Sequence, residues 1–487
     1  MLNFNNIPLT LRTPGAYIEI DNSRAQRGLV SQPQKILVIG QKLAPGAAAA
    51  GVAVRVRTAA EAVTLFGRGS MLARMFRALK DVDTTLETWA VPLSDLNGGV
   101  KASGTIVYGG APTAAGSHIL YIGGDRLVVP VASAQATTSI AAAVSAAINA
   151  APDLPVVASV VGSTVTITAQ HKGLTGNDID VRVNYHESEF TPAGLTVAIT
   201  PMTGGSGNPD VAEVLTAIGD TWYPTIVLPY TDSANLAVIE AELTTRWGPL
   251  KMTESIAYAA AKGAYGGLAS LGGGRNSPFV SIIGAKASPT SPAEWAAAYA
   301  TAIALSASID PARPLQTLAL PGILPPSQAD RFTQPERNLL LFDGISTFTV
   351  DPGGKVLIER AITTYQVNAA GIDDSSFLNV ETLQTVSYLR YSLRVRVATK
   401  FPRHKLGNDG GLYAPGQAIV TPSDINAEIV ALAVDWHRAG LVEDLDQFKR
   451  DLRVERDGSD PDRVNAVLAP NVINQLRVFA AQIQFIL

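Results

Sequence analysis

The spacing of apolar and polar positions changes character several times along this chain. Lys35-Ile-Leu-Val-Ile-Gly40 is an apolar run closed by glycine, which predicts a buried strand. Thr58-Ala-Ala-Glu61 reads as a capping box, and Ala62, Val63, Leu65 and Phe66 predict the helix it opens. Gly67-Arg-Gly-Ser70 interrupts that helix. Met71, Leu72, Met75, Phe76 and Leu79 then resume the helical period, and Leu86 to Val91 predicts the next strand. The strand–helix alternation stops near Asn97-Gly98-Gly99. From Val100 to Gly205 the chain is rich in Gly, Ala, Thr and Val and holds only ten charged residues, so a different kind of core is expected there. Ile106–Tyr108, Ile119–Ile122, Arg126–Val131, Val156–Val161, Thr164–Thr168 and Val181–Tyr185 predict short strands, with one Ala-rich helix over Ser139–Ala150. After Gly204-Gly-Ser-Gly207 the alternation returns: helices over Val211–Ile218 and Leu236–Trp247, strands over Thr225–Leu228, Ile256–Ala260 and Val280–Ile283, and a helix from Pro292.

The fold class expected is therefore a multidomain α+β and α/β protein. A discontinuous α/β domain (23–97 and 206–330) carries an inserted, mainly β domain (98–205), which reads as a module between two linkers whose removal should spare assembly. A C-terminal α+β region (331–487) begins at Arg331. In it Thr347–Val350 and Val356–Ile362 flank the hairpin signal Asp351-Pro-Gly-Gly354. Val386, Leu389, Leu393 and Val397 mark one helix. Thr421-Pro422 caps a second, which runs through Ile425, Ile429, Leu432 and Trp436 to Gly440.

Both ends read as extended arms. Residues 1–22 begin with Pro8 and Pro14 and no helical period, then offer a brief strand at Tyr17, Ile18, Glu19 and Ile20. From 464 to 487 the spacing is again that of a strand. Leu476, Val478 and Ala480 alternate with their neighbours, and after a one-residue slip so do Ile483, Phe485 and Leu487. Laid out straight, this stretch spans roughly 80 Å. So apolar a strand must pair, with this subunit's own sheet or with a neighbour's.

Composition narrows the chemistry. In 487 residues, 47% are hydrophobic and only 16% charged, which suits a surface largely covered by partners; a net charge of −4 argues against nucleic acid as the main ligand. There is no cysteine, so disulfides and thiolate chemistry are excluded. No signal-peptide pattern is read at the start, and the most apolar helical stretch, Trp295–Ile309, is too short to cross a bilayer, so a soluble protein without membrane insertion is expected. No phosphate loop, dinucleotide fingerprint or nucleophile elbow is present, and the five histidines are scattered without metal-ligand spacing. We expect no catalytic, cofactor-binding or metal site. One charge pattern remains. Arg390, Arg394, Arg396, Lys400, Arg403 and Lys405 form a basic run without acids, while Glu443–Asp462 is rich in carboxylates. Both are solvated or internally paired faces, or they are complementary patches between copies.

The third region also carries a likeness. Asn338-Leu-Leu-Leu-Phe-Asp-Gly-Ile-Ser-Thr-Phe-Thr-Val-Asp351, Val356–Tyr365, Leu383–Tyr391 and Thr399–Leu406, with Thr13-Pro-Gly-Ala-Tyr17 and Gly274-Arg-Asn-Ser-Pro278, resemble the contractile-tail sheath proteins of Mu-like phages and prophages. The likeness spans most of 10–100 and 206–487 and leaves the insert unmatched. It implies a non-enzymatic structural protein of the virion tail, assembled in the host cytoplasm and requiring no cofactor. The implied partners are further copies of itself in stacked hexameric rings, a tail tube protein, and baseplate and tail terminator proteins. The insert would face outward, donated arms would join subunits, and contraction would drive the tube through a cell envelope. Alternatives left open are an α/β enzyme with an accessory β domain and the sheath of a non-phage contractile injection machine.

Overall fold

In the computed structural model, which describes residues 12–18, 29–414 and 416–486, the chain forms two units. The larger comprises Gln34–Ile309 and Leu315–Val380; the smaller is built from Glu381–Leu487 with Asp310–Pro314 and the described residues up to Pro33.

The larger unit starts with β1 (Lys35–Gln41), whose residues after Lys35 are all buried, as a strand covered on both faces requires. β2 (Val54–Arg55), α1 (Ala59–Phe66), α2 (Met71–Val82) and β3 (Glu87–Leu93) follow. Thr58 caps α1 by accepting the Glu61 N–H at 3.1 Å. The expected box does not close on Thr58, because the Glu61 carboxylate accepts from Arg57 N–H at 2.7 Å instead.

The insert comes next: β4 (Lys101–Gly110), β5 (Gly116–Ile122), β6 (Asp125–Val131), α3 (Thr137–Asn149), β7 (Val156–Val161), β8 (Thr164–Lys172), β9 (Val181–Val183) and β10 (Leu195–Thr203). Its strands make two antiparallel sheets, ordered β10-β4-β8-β7 and β6-β5-β9. Together with α3 they enclose an apolar core that includes Ile106, Leu120, Ile122, Ile140, Val144 and Ile167. The alternating burial of β8 is the period-two pattern legible in the sequence.

The chain then resumes the first sheet with α4 (Ala212–Ile218), β11 (Thr225–Val227), α5 (Ser233–Trp247), β12 (Ile256–Ala261), α6 (Tyr265–Gly273), β13 (Val280–Gly284) and α7 (Pro292–Ile309). α8 (Gln334–Phe342), β14 (Ile345–Val350) and β15 (Val356–Arg360) complete it, giving eight strands in the order β15-β14-β13-β12-β11-β1-β3-β2. All neighbours from β14 to β3 pair parallel. The strands expected to open a third region at Arg331 thus lie in the α/β sheet. β14 extends it in parallel beside β13, and β15 folds back through the Asp351–Gly354 turn, where Gly354 takes φ +82. The outer edge of β15 is covered by residues 317–320, with Thr317 N–H bonded to Ile358 O at 2.8 Å and Leu320 N–H to Val356 O at 2.9 Å.

Small residues let α7 lie almost wholly buried in this unit, and Tyr299 on it shares hydrogen bonds with Ser281 of β13 (2.9 Å) and Ser346 of β14 (3.0 Å). Among the described residues no helix is long and apolar enough to cross a membrane.

The smaller unit contains α9 (Val380–Lys400), β16 (Lys405–Leu406), β17 (Ile419–Val420), α10 (Pro422–Arg438), β18 (Val442–Glu443), α11 (Leu445–Asp451), β19 (Arg453–Arg456), β20 (Val464–Val467) and β21 (Asn471–Val472). Its strands form only two-stranded ladders, too small to stand without the helices they pack on.

Candidate functional site

The feature that sets this chain apart from a self-sufficient domain is the stretch after β21, so the site is built from what holds its base. Thr421 caps α10 with Pro422 at its first position, as the sequence predicts, and Asp424 closes a capping box with Thr421. The apolar face of α10 packs Ile429, Leu432, Ala433 and Trp436 with Leu389 of α9 and Phe448 of α11. Trp436 Nε1–H donates to Ser392 Oγ at 2.9 Å, so α9 and α10 are registered by a buried polar contact as well. Arg396 adds an ionic pin, donating to Glu428 at 2.9 Å and Asp435 at 2.6 Å. Burial would lower its pKa, but the two carboxylates outweigh burial and raise it.

On this scaffold β18 pairs antiparallel with β21, Val442 opposite Val472, and Ile473 N–H bonds to Leu441 O at 3.1 Å. Asn474 then reaches Glu443 at 3.3 Å and Gln475 donates to Ala312 O at 3.4 Å. Arg477 pairs with the buried carboxylate of Glu381 at 3.0 Å. These contacts fix the base of the arm. Beyond them the chain has no strand pairing among the described residues, and its apolar side chains stand in solvent. Leu476 is 75% exposed, Val478 81%, Phe479 84%, Ile483 89%, Phe485 80% and Ile486 99%. Phe479 and Ile486 lie outside the strand alternation expected from sequence and are exposed with the rest. Strand alternation does not point to these two positions; their hydrophobicity is the one signal the sequence offers. Leu487 lies outside the described residues.

Of the N-terminal quartet, Tyr17 and Ile18 are exposed and in no strand, and Tyr17 Oη–H donates to Thr13 O at 3.3 Å. Glu19 and Ile20 fall outside the described residues. Leu29 packs on the α9–α10 core, Tyr388 Oη–H donates to Val30 O at 2.9 Å and Gln32 bonds Ser387 at 3.2 Å.

The basic run divides by environment. Arg396 is paired inside its unit, and Lys400 lies 3.9 Å from Glu428. Half-buried Arg394 stands over the Tyr391 ring, 5.9 Å from its centroid, and Arg390 on the same helix is also half-buried. Arg403 is exposed in the turn after α9, and Lys405 donates to Gln417 at 3.2 Å. Among the described residues no cluster of His, Cys, Asp or Glu has the geometry of a metal site. The acidic counterpart holds one tight turn, in which Asp457 accepts from Ser459 Oγ (2.7 Å), Ser459 N–H and Asn465. These bonds hold its carboxyl far below the usual range.

An α/β sheet carrying a β insert, and a small helical unit that ends in an exposed apolar arm, define a protein built to assemble. The family model of the phage tail sheath protein central domain matches residues 204–364, and that of the phage tail sheath C-terminal domain matches 373–486. The Mu-like prophage FluMu tail sheath protein of Haemophilus influenzae is 46% identical over 486 residues, covering 100% of each chain. That alignment therefore runs through the insert as well, beyond the stretches whose motifs carry the likeness. A sheath tail protein of Listeria innocua is similar in fold at 12% identity, covering 93% of this chain and 94% of its own, with a TM-score of 0.50. One from Desulfitobacterium hafniense gives 15%, 94%, 100% and 0.48. The chain belongs to the phage tail sheath family, and it is a structural protein of contractile tails.

Proposed function

We propose that this chain polymerises as stacked hexameric rings around a tail tube, and that contraction of the sleeve drives the tube through a cell envelope. The arms of residues 17–20 and 476–487 are lent to other copies. The observation that carries this reading is the exposed run from Leu476 to Ile486, firmly based at Arg477 and Gln475 yet unpaired beyond them. So much apolar surface on a chain with backbone hydrogen bonds to spare is stable only when another sheet edge takes it up. The exposed cations Arg403 and Lys405 suit a contact with a neighbouring copy or the tube. Arg396, neutralised within its unit, serves the scaffold instead. The insert faces away from the tube. Baseplate and tail terminator proteins bound the assembly at its ends, and work is supplied by the difference in buried surface between long and short states, without nucleotide. The protein acts mechanically and not as an enzyme.

Negative-stain microscopy of the purified chain tests this. Hollow tubes with sixfold rings are expected. A chain that stays monomeric at every concentration and ionic strength would refute it.

A further inference from the structure

A doubly wound parallel sheet has a natural place for a ligand. It is the crevice beyond the carboxyl ends of the strands where the strand order reverses, with the N-terminus of a crossover helix in its wall. Here the reversal falls at β1, which has β3 on one side and β11 on the other, and α2 belongs to the β1–β3 crossover. The carboxyl end of β1 is the buried Gln41, and Asp95 lies two residues beyond β3. Both are held by the end of β8 in the insert. Gln41 Nε2–H donates to Lys172 O at 2.7 Å and to Asp95 Oδ1 at 2.8 Å. Asp95 in turn accepts from Lys172 N–H at 3.0 Å and from His171 Nδ1–H at 2.9 Å. The N–H of Met71, the first residue of α2, donates to His171 Nε2 at 3.1 Å, where a helix N-terminus would otherwise meet an anion.

We propose that the inserted domain is the permanent occupant of this crevice, so that it and the α/β domain are one folding unit closed to exchangeable ligands. A second set of contacts closes the wall. Arg74, buried one turn into α2, donates to Gly123 O at 2.7 Å and Asp153 O at 3.1 Å in the insert. It also pairs with Asp125 of the insert and, at 3.0 Å, with Glu294 in the first turn of α7. Arg77 bridges the same two carboxylates at 3.0 and 3.1 Å. Two guanidiniums and two carboxylates cancel only while Asp125 is present, and without the insert Arg74 would keep a buried charge short of partners. At Gly69, just ahead of α2, a Cβ would come within 2.4 Å of Leu154 O of the insert, so the two backbones touch at this point. The insert is therefore not the separable module that its composition suggests.

Hydrogen exchange by mass spectrometry on the full chain tests this. In the unaltered protein the amides of β8 and of the first turn of α2 should exchange through one shared opening, at matched rates. Exchange of β8 more than tenfold faster than α2 would overturn the proposal. His171→Ala should speed exchange over residues 71–75 by about tenfold, the effect of roughly one lost hydrogen bond. It should also let inorganic phosphate raise the melting temperature, a response absent from the unaltered chain. His171→Gln, which keeps an acceptor, should restore slow exchange. A change confined to the insert, or a phosphate response equal in both proteins, would refute the idea. If His171→Ala fails to fold, the exchange pattern of the unaltered chain alone decides.

Discussion

Ending the chain after Arg477 should separate assembly from folding. The cut removes Val478, Phe479, Ile483, Phe485 and Ile486, all exposed, and spares the Arg477–Glu381 pair, the Gln475 contact and β21. Surface residues without partners contribute within about 0.5 kcal/mol, so the subunit should melt at nearly its original temperature. In the assembled state the same five side chains would each contribute roughly 1.5–3 kcal/mol on burial, about 10 kcal/mol gross per arm. Ordering ten residues of backbone costs a similar amount, and ladder hydrogen bonds leave a surplus of a few kcal/mol. Losing even about 3 kcal/mol raises the concentration needed for polymerisation roughly a hundredfold. Differential scanning fluorimetry reads the first quantity; sedimentation with electron microscopy across a concentration series reads the second. Tubes forming at the original threshold would refute the donated arm. A melting temperature lowered by many degrees would mean that the arm belongs to its own subunit. A cut before Asn471 is a different experiment, because it also removes β21 from β18 and should destabilise the subunit itself.

Two other predictions concern the insert. His118 is fully buried with Tyr108 Oη 3.0 Å from its Nε2, its Nδ1 has no partner, and burial pushes its pKa down to about 4. The unfolded chain takes up this proton below about pH 6.5 and the folded chain only near 4. Stability should thus fall by about 3 kcal/mol as pH drops through that window and level off below it. Urea titrations of the protein and of His118→Phe should diverge by that amount; identical pH slopes would dismiss it. Asn149 caps the open edge of β7, donating to Ala158 O at 2.8 Å and accepting from Ala158 N–H at 2.9 Å. Asn149→Ala should cost no more than about 1 kcal/mol yet promote lateral association through the Val156–Val161 edge, seen by light scattering. Unchanged scattering would show that the amide guards nothing.

Local pattern determined much of this protein. The buried β1, the cap and apolar stripe of α10, the Asp351–Gly354 hairpin and most of the insert's strands follow from residues only a few positions apart, where backbone preference and side-chain period act together. The apolar arm was legible for the same reason. α6 was not, because Tyr265-Gly-Gly-Leu-Ala-Ser-Leu-Gly-Gly273 has poor helix propensity and forms within the tertiary fold. β10 was missed too, its alternation broken by Pro201 near its end. Tertiary structure alone decided that β14 and β15 join the α/β sheet, that Arg396 is spent on its own unit, that Lys172 and His171 of the insert bond Gln41 and Asp95 at the end of β1, and that Asp125 of the insert pairs with Arg74 and Arg77 of α2. Each of those outcomes rests on charges and hydrogen-bond partners about thirty to more than two hundred residues apart in sequence. Their cost when unpaired is set by burial, and burial exists only once the chain has closed around them.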